Sequence, residues 1–245
     1  MAKSIEGQLP MLDSFFEDTI AEIGPPQRCI PMTPEQENRL SKQLPASFMA
    51  FLLQYGFGDY FDRKVQYCDP AEFSPILALV FAGDPDFSHR DCFVVGYSAF
   101  GRLICWSQRH DQFEIDLVDL RMTSRKLAPT QFILPPGTIK RERSTDPNVL
   151  ARSLLVSDQR DYEEFDAQDQ PMFARCRAMH GDLERNECYG YFPAIATVGL
   201  DSPVRRVENI RRVAALEHFA ILAQLGTFHL MRLERGQYTA VRPIG

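Results

Sequence analysis

Cys176, His180 and Cys188 could supply three metal ligands in this 245-residue chain. Cys176 and His180 stand one helical turn apart. A structural zinc site takes four such ligands, and nothing nearby supplies the fourth. These three therefore read as ordinary buried or half-buried side chains, and neither metal nor cofactor is expected. The other cysteines are Cys29, Cys68, Cys92 and Cys105, and no pair has C-x-x-C spacing. Without a signal peptide they read as free thiols rather than a disulfide frame.

Three strings imitate catalytic motifs. His89-Arg90-Asp91 resembles the protein-kinase catalytic loop, but the asparagine needed five residues after the aspartate is Gly96. No glycine-rich loop precedes it. Gly96-Tyr97-Ser98-Ala99-Phe100 approaches the nucleophile elbow, with Phe100 in place of the second glycine. Neither G-x-x-x-x-G-K-[ST] nor G-x-G-x-x-G occurs. The histidines at 89, 110, 180, 218 and 229 are scattered, and His218 and His229 lie in apolar stretches. No catalytic residue is named, and the chain is expected not to be an enzyme.

Two charge features remain. Between Ser157 and Gln170 stand Asp158, Asp161, Glu163, Glu164, Asp166 and Asp169, against Arg160 alone. Tyr162 and Phe165 are interleaved. Carboxylates around aromatic anchors suit a protein-docking surface, and these eight residues are the candidate partner-binding set. The plainer alternative is a solvated loop. Arg205, Arg206, Arg211 and Arg212 form the second feature, read as the exposed start of a helix with internal salt bridges, for example to Glu208. A nucleic-acid patch there fits poorly with the net charge of -6, because nucleic acid and anionic membranes need a positive face. A basic protein partner fits the charge.

The elements that would position these residues can be read from periodicity. Hydrophobic residues make up 44% of the chain, enough for a packed core. No stretch approaches the ~18 apolar residues of a membrane span. The N-terminus lacks the apolar region of a signal peptide, so a cytoplasmic protein is expected. Helices are predicted over 12–23, from Thr33-Pro34 to about Leu44, over 46–55 and over 71–81 with Asp69 as cap. Strands are predicted over 60–67, 92–97, 103–106, 113–118 and 131–134. The polar stretch 140–148 marks a boundary. Beyond it helices are predicted over 147–156 and 172–179. The clearest helix runs from Ser202-Pro203 to Gly226, apolar nearly all round from Val213 and therefore buried. A hairpin follows over 228–233 and 238–241. The fold class is α/β, more closely α+β. It comprises an antiparallel mixed sheet with surrounding helices, two packed subdomains and a buried C-terminal helix followed by a hairpin.

The order of elements also resembles a known family. Leu44-Pro45 through Phe51 to Gly56 looks like the "LP-x-x-x-x-x-F/W-x-x-x-G" opening of the GAD-like domain, which is similar to SUKH-type immunity domains. Asp69-Pro70-Ala71-Glu72-Phe73 with Pro75-Ile76-Leu77 resembles its "NP-x-E-Y/F-x-PVL" helix start. Ala99-Phe100-Gly101-Arg102-Leu103 to Trp106 resembles its "AFG-x-L-x-x-W" hairpin. Asn186-Glu187-Cys188-Tyr189-Gly190-Tyr191 to Ala194 looks like the "DE-x-YGF-x-PAL" motif of a small C-terminal domain. The resemblance implies a GAD-like domain over 8–140 and an immunity-type domain over 147–245.

That pairing is typical of immunity proteins for type VI secretion effectors. The expected function is to bind and neutralise a cognate secreted toxin, a basic nuclease such as a DNase, as a heterodimer. No nucleic acid or membrane partner is expected. The alternatives are a nucleic-acid or tRNA-linked accessory protein, which would bind in a salt-sensitive way, and an enzyme with an unrecognised site.

Overall fold

The computed structural model describes residues 11–130, 143–199 and 202–245. Helix α1 spans Ser14–Ile23, with the Asp13 carboxylate accepting the Phe15 N–H at 2.9 Å. Strand β1 (Gln27–Ile30) leads to α2 (Pro34–Leu40), where Thr33 and Gln36 form a reciprocal capping box. Helix α3 (Ala46–Tyr55) ends at Gly56, whose φ is 73°. A side chain there would collide with the Ile30 carbonyl. Helix α4 (Pro70–Val80) starts on the Asp69 cap as predicted.

The single strand predicted over 60–67 is corrected. It is two strands, β2 (Phe57–Tyr60) and β3 (Val65–Tyr67), joined by a turn with Phe61, Asp62 and Arg63 at positive φ. The turn has no glycine or proline to announce it. Strands β4 (Cys92–Ser98), β5 (Arg102–Ser107), β6 (Asp111–Asp116) and β7 (Arg121–Ser124) continue the meander. The strand predicted over 131–134 lies outside the described residues.

In the second half, α5 (Pro147–Leu150) tightens into a 3-10 turn (Ala151–Leu154), and α6 spans Phe173–His180. Strand β8 (Glu187–Tyr191) and α7 (Ile195–Val198) follow. The long helix predicted over 203–225 is the main correction. A 3-10 turn (Val207–Asn209) leads into strand β9 (Ile210–Ala214), and only α8 (Ala215–Leu222) is helical. Pairing with β8 across Tyr191↔Ile210 to Glu187↔Ala214 overrides the local helical preference. Helix α8 is also not buried all round, since Ile221 is 55% exposed while Phe219 and Leu222 are inside. The predicted terminal hairpin is β10 (Phe228–Glu234) and β11 (Gln237–Ile244).

The main sheet has nine strands in the order β1-β2-β3-β4-β5-β6-β7-β10-β11, and β8 and β9 form a separate ribbon. Neighbours are antiparallel except β10, which runs parallel to β7. The period of two sends alternate side chains to opposite cores. Leu103, Cys105, Phe113, Ile115 and Met122 pack with α4, α8 and β8. Val65, Tyr67, Ile104 and Trp106 pack with α1, α3 and the 3-10 turn. Ala151, Leu154, Leu155 and Val156 pack into the core on one face of this sheet, and Phe228, Leu230 and Ile244 into the core on the other.

The end of β11 is fastened by Asp84. Its carboxylate accepts from the Arg242 guanidinium at 2.6 and 3.2 Å and from the N–H groups of Asp86, Phe87 and Gly245. Burial alone would raise this carboxyl, but these donors outweigh it and hold it at about 2. A depressed carboxyl stabilises the fold above its unfolded value, and that contribution is lost as pH falls through about 4 toward 2. Asp84→Asn should therefore cost about 1–3 kcal/mol at pH 7. Thermal melts between pH 7 and 2 should show the two proteins converging on the acid side.

Candidate functional site

The residues with chemistry in the sequence do not converge. Cys176 and Cys188 are buried free thiols, and burial pushes Cys176 up to about 12. His180 lies with Nε2 2.7 Å from the Val207 carbonyl. Among the described residues no three His, Cys, Asp or Glu side chains could share a metal ion. His89-Arg90-Asp91 sits in a turn before β4, and Ser98 ends β4 at the hairpin. There the Ser98 hydroxyl accepts the Arg102 N–H at 3.0 Å. His218 packs its ring against Gly190, where a Cβ would meet it at 2.7 Å, and burial lowers its pKa.

The acidic segment 157–170 is a structural belt, and four of the eight candidate partner-binding residues on it, Tyr162, Glu163, Glu164 and Asp166, are held in contacts with the rest of the fold. Glu163 receives the Lys64 ammonium and the N–H groups of Met172 and Phe173 at 3.1 and 2.9 Å, so it caps α6 from outside the helix. Glu164 lies between Arg102 at 3.1 Å and Arg205 at 3.2 Å. Asp166 is 5% exposed, accepts the Gln168 and Gln170 N–H groups and pairs with Arg175. The Tyr162 hydroxyl donates to Glu114 at 3.0 Å, with the Arg102 guanidinium 5.7 Å from its ring. Asp161 accepts N–H groups from Ser157 and Asp158. Asp158 pairs with Arg160. Only Phe165, 49% exposed, and Asp169 project fully to solvent.

Glu164 belongs to a closed ring of six charges. Around it run Glu164, Arg102, Asp116, Arg121, Asp119 and Arg205, and back to Glu164. Three cations balance three anions, and none of the six side chains is more than 27% exposed. Tyr162 and Tyr191 flank Arg102 and Arg205. Arg205, predicted at an exposed helix start, is instead a half-buried cross-link. Its signal lay elsewhere: Arg102, Asp116, Asp119 and Arg121 are charges on and between strands whose alternate residues are core. Burial pushes the Glu164 carboxyl up to about 7, with Asp116 adding to the rise and Arg102 and Arg205 opposing it.

Unneutralised acid also stands on the first two helices. Glu17, Asp18 and Glu22 on α1 and Glu35 and Glu37 on α2 are exposed, and none forms an ion pair among the described residues. These five form no run in the sequence because they are spread across two helices. Near the belt a cleft of about 630 Å³ opens between Arg102, Glu114, Arg125, Arg143, Arg152 and Tyr162. Most of its charge is matched: Arg152 pairs with Asp13 and Arg143 with Asp111.

Comparison with known proteins decides what this architecture is. Residues 14–119 match the GAD-like domain family, and residues 152–226 match the C-terminal domain of the type VI secretion immunity protein Tdi1. The chain carries a GAD-like domain followed by a Tdi1-type immunity domain. A crystal structure of Atu4351 from Agrobacterium tumefaciens is similar over nearly the whole length. It is 26% identical with a TM-score of 0.76, and the match covers 94% of this chain and 98% of that one. No curated protein matches. The α+β fold is thus shared by a solved structure. Within it the ion ring crosses between the two matched regions: Arg102, Asp116 and Asp119 lie in the GAD-like match, and Glu164 and Arg205 in the Tdi1 match. No helix among the described residues is long and apolar enough to cross a membrane.

Proposed function

We propose that this protein binds and neutralises a cognate toxin of a type VI secretion system in the cytoplasm of the cell that makes it. The Tdi1 immunity match over 152–226 carries this reading. An inhibitor needs a stable scaffold and a complementary surface rather than a catalytic centre, and the scattered histidines and buried thiols accord with that. The toxin is a basic nuclease. Enzymes that grip phosphates carry positive surface, so an acidic inhibitor gains fast encounter and selectivity. The complex is a heterodimer.

The docking contribution of the acidic belt comes from its outward members, Asp158, Asp161, Phe165 and Asp169. The five carboxylates on α1 and α2 add the long-range field. Reversing Glu163 and Glu164 would test the fold rather than docking, because both are spent on internal pairs. The informative variants are Glu17→Lys with Glu22→Lys, and Asp158→Lys with Asp169→Lys. Each pair should slow association with the cognate toxin by about tenfold at low salt, and the loss should shrink as salt rises. Co-expression should also rescue cells from that toxin. Failure to bind or rescue sinks the immunity reading, whereas unchanged on-rates sink only the acidic surfaces.

A further inference from the structure

The two ends of the nine-stranded sheet are finished differently. At one end β1 has four residues, follows Pro26, precedes Pro31 and pairs with β2 in an irregular register. Short, irregular, proline-flanked edges resist further strand pairing. At the other end β11 has eight residues, and Gln237 through Val241 are all exposed. The stretch 237–244 contains no Asp, Glu or Lys, and its one proline, Pro243, comes near the end. Tyr238 and Val241 are 47% and 42% exposed.

The hairpin that carries this edge also overhangs the sheet. Strand β10 pairs with β7 only from His229 to Met231, while β10 and β11 remain paired out to Glu234↔Gln237. Arg235 and Gly236 at the tip both have positive φ, the turn geometry that matches strand twist and keeps such a hairpin straight. The Arg121 guanidinium lies 4.8 Å from the ring of Tyr238, beside the tip, and ties that end of the hairpin to the ion ring. Among the described residues, no strand pairs with the outer side of β11.

We propose that β11 is a docking edge, onto which an extended segment of the toxin adds as a further strand along Gln237–Val241. This rests on the immunity reading above. Main-chain hydrogen bonds would hold the added strand, and Tyr238 and Val241 would supply side-chain contacts on it. The register shifts between Leu230, opposite Arg242, and Met231, opposite Ala240, which leaves Val241 as the extra residue, so the regularly paired run is Gln237–Ala240 and ends at Val241. Charge selects the occupant. Two copies of this chain, each at -6 and each with an acidic α1–α2 layer, repel, whereas a basic partner is drawn in. The edge itself carries no acid that would clash with a partner's backbone.

Hydrogen exchange on the full chain, alone and bound to a catalytically inactivated form of the cognate toxin, tests the idea. The outward amides of 237–241 should exchange fast in the free protein and become protected in the complex. Thr239→Lys with Val241→Lys should weaken the complex while leaving the melting temperature near that of the unaltered protein, because both side chains are exposed. Three results would overturn the proposal: slow exchange of these amides in the free protein, protection that grows with protein concentration without toxin, or a complex in which they stay unprotected. If no complex forms, the immunity reading falls first and this edge with it. A complex with an unprotected edge removes only the edge.

Discussion

Arg205→Ala is expected to destabilise the protein by about 3–5 kcal/mol at pH 7.5, the range seen when one member of a buried ion pair is removed. The Arg205 side chain is 15% exposed and holds Asp119 and Glu164, at 12% and 13%. Its removal strands Glu164 with Arg102 alone and leaves the ring with three anions and two cations. The loss should depend on pH. Burial raises the folded-state pKa of Glu164 to about 7, so the folded protein binds this proton more tightly than the unfolded chain. Such a group stabilises the fold fully below its unfolded value and loses that contribution as pH rises through about 7. In the variant, protonating Glu164 also removes the stranded charge, so the penalty should shrink at pH 5.5. Urea melts at both pH values measure it. A penalty below about 1 kcal/mol at pH 7.5 would mean that the ring behaves as a surface pair. Arg205→Lys keeps the charge but not the planar fork that reaches two carboxylates, and should fall between the two.

Leu222→Ala is expected to cost about 2–5 kcal/mol. Leu222 is 2% exposed on the inner side of α8, in the core that joins α4, the main sheet and the β8–β9 ribbon. Its helix neighbour Phe219 lies 6.4 Å from Phe73 and 5.5 Å from Tyr97, ring to ring. A cavity here therefore faces stiff aromatic walls that cannot collapse into it. Ile221→Ala, one residue along and 55% exposed, is the control and should stay within about 0.5 kcal/mol. Denaturant midpoints at constant slope separate the two. A loss under half a kcal/mol at Leu222 would show that α8 is not part of the core.

The readable parts of this protein are those whose causes are local. The Thr33 capping box, the Asp69 cap, the apolar face of α3 and the alternation along β5 and β6 depend on residues within a turn or two of each other. Those determinants are present in any short window of the chain. The family resemblance was legible for a related reason: three of its motifs begin at such caps and turns, at Leu44-Pro45, Asp69-Pro70 and Ala99-Phe100-Gly101, and the fourth runs along β8.

The misread parts depend on partners far away in sequence. Residues 203–214 have helical composition and become a turn and a strand because β8 offers a pairing edge. The belt carboxylates looked like a surface because a string of like charges has no local counter-ions. Lys64 for Glu163 stands 99 residues away, and Arg102 for Glu164 stands 62 away. A charge count therefore establishes the sign of the whole protein, since every residue contributes wherever it lies. Which of those charges face a partner was decided only by tertiary structure. A carboxylate sheltered from water is held there only if the fold brings a cation to it, and the fold did so for Glu163, Glu164 and Asp166 but not for the exposed acids of α1 and α2.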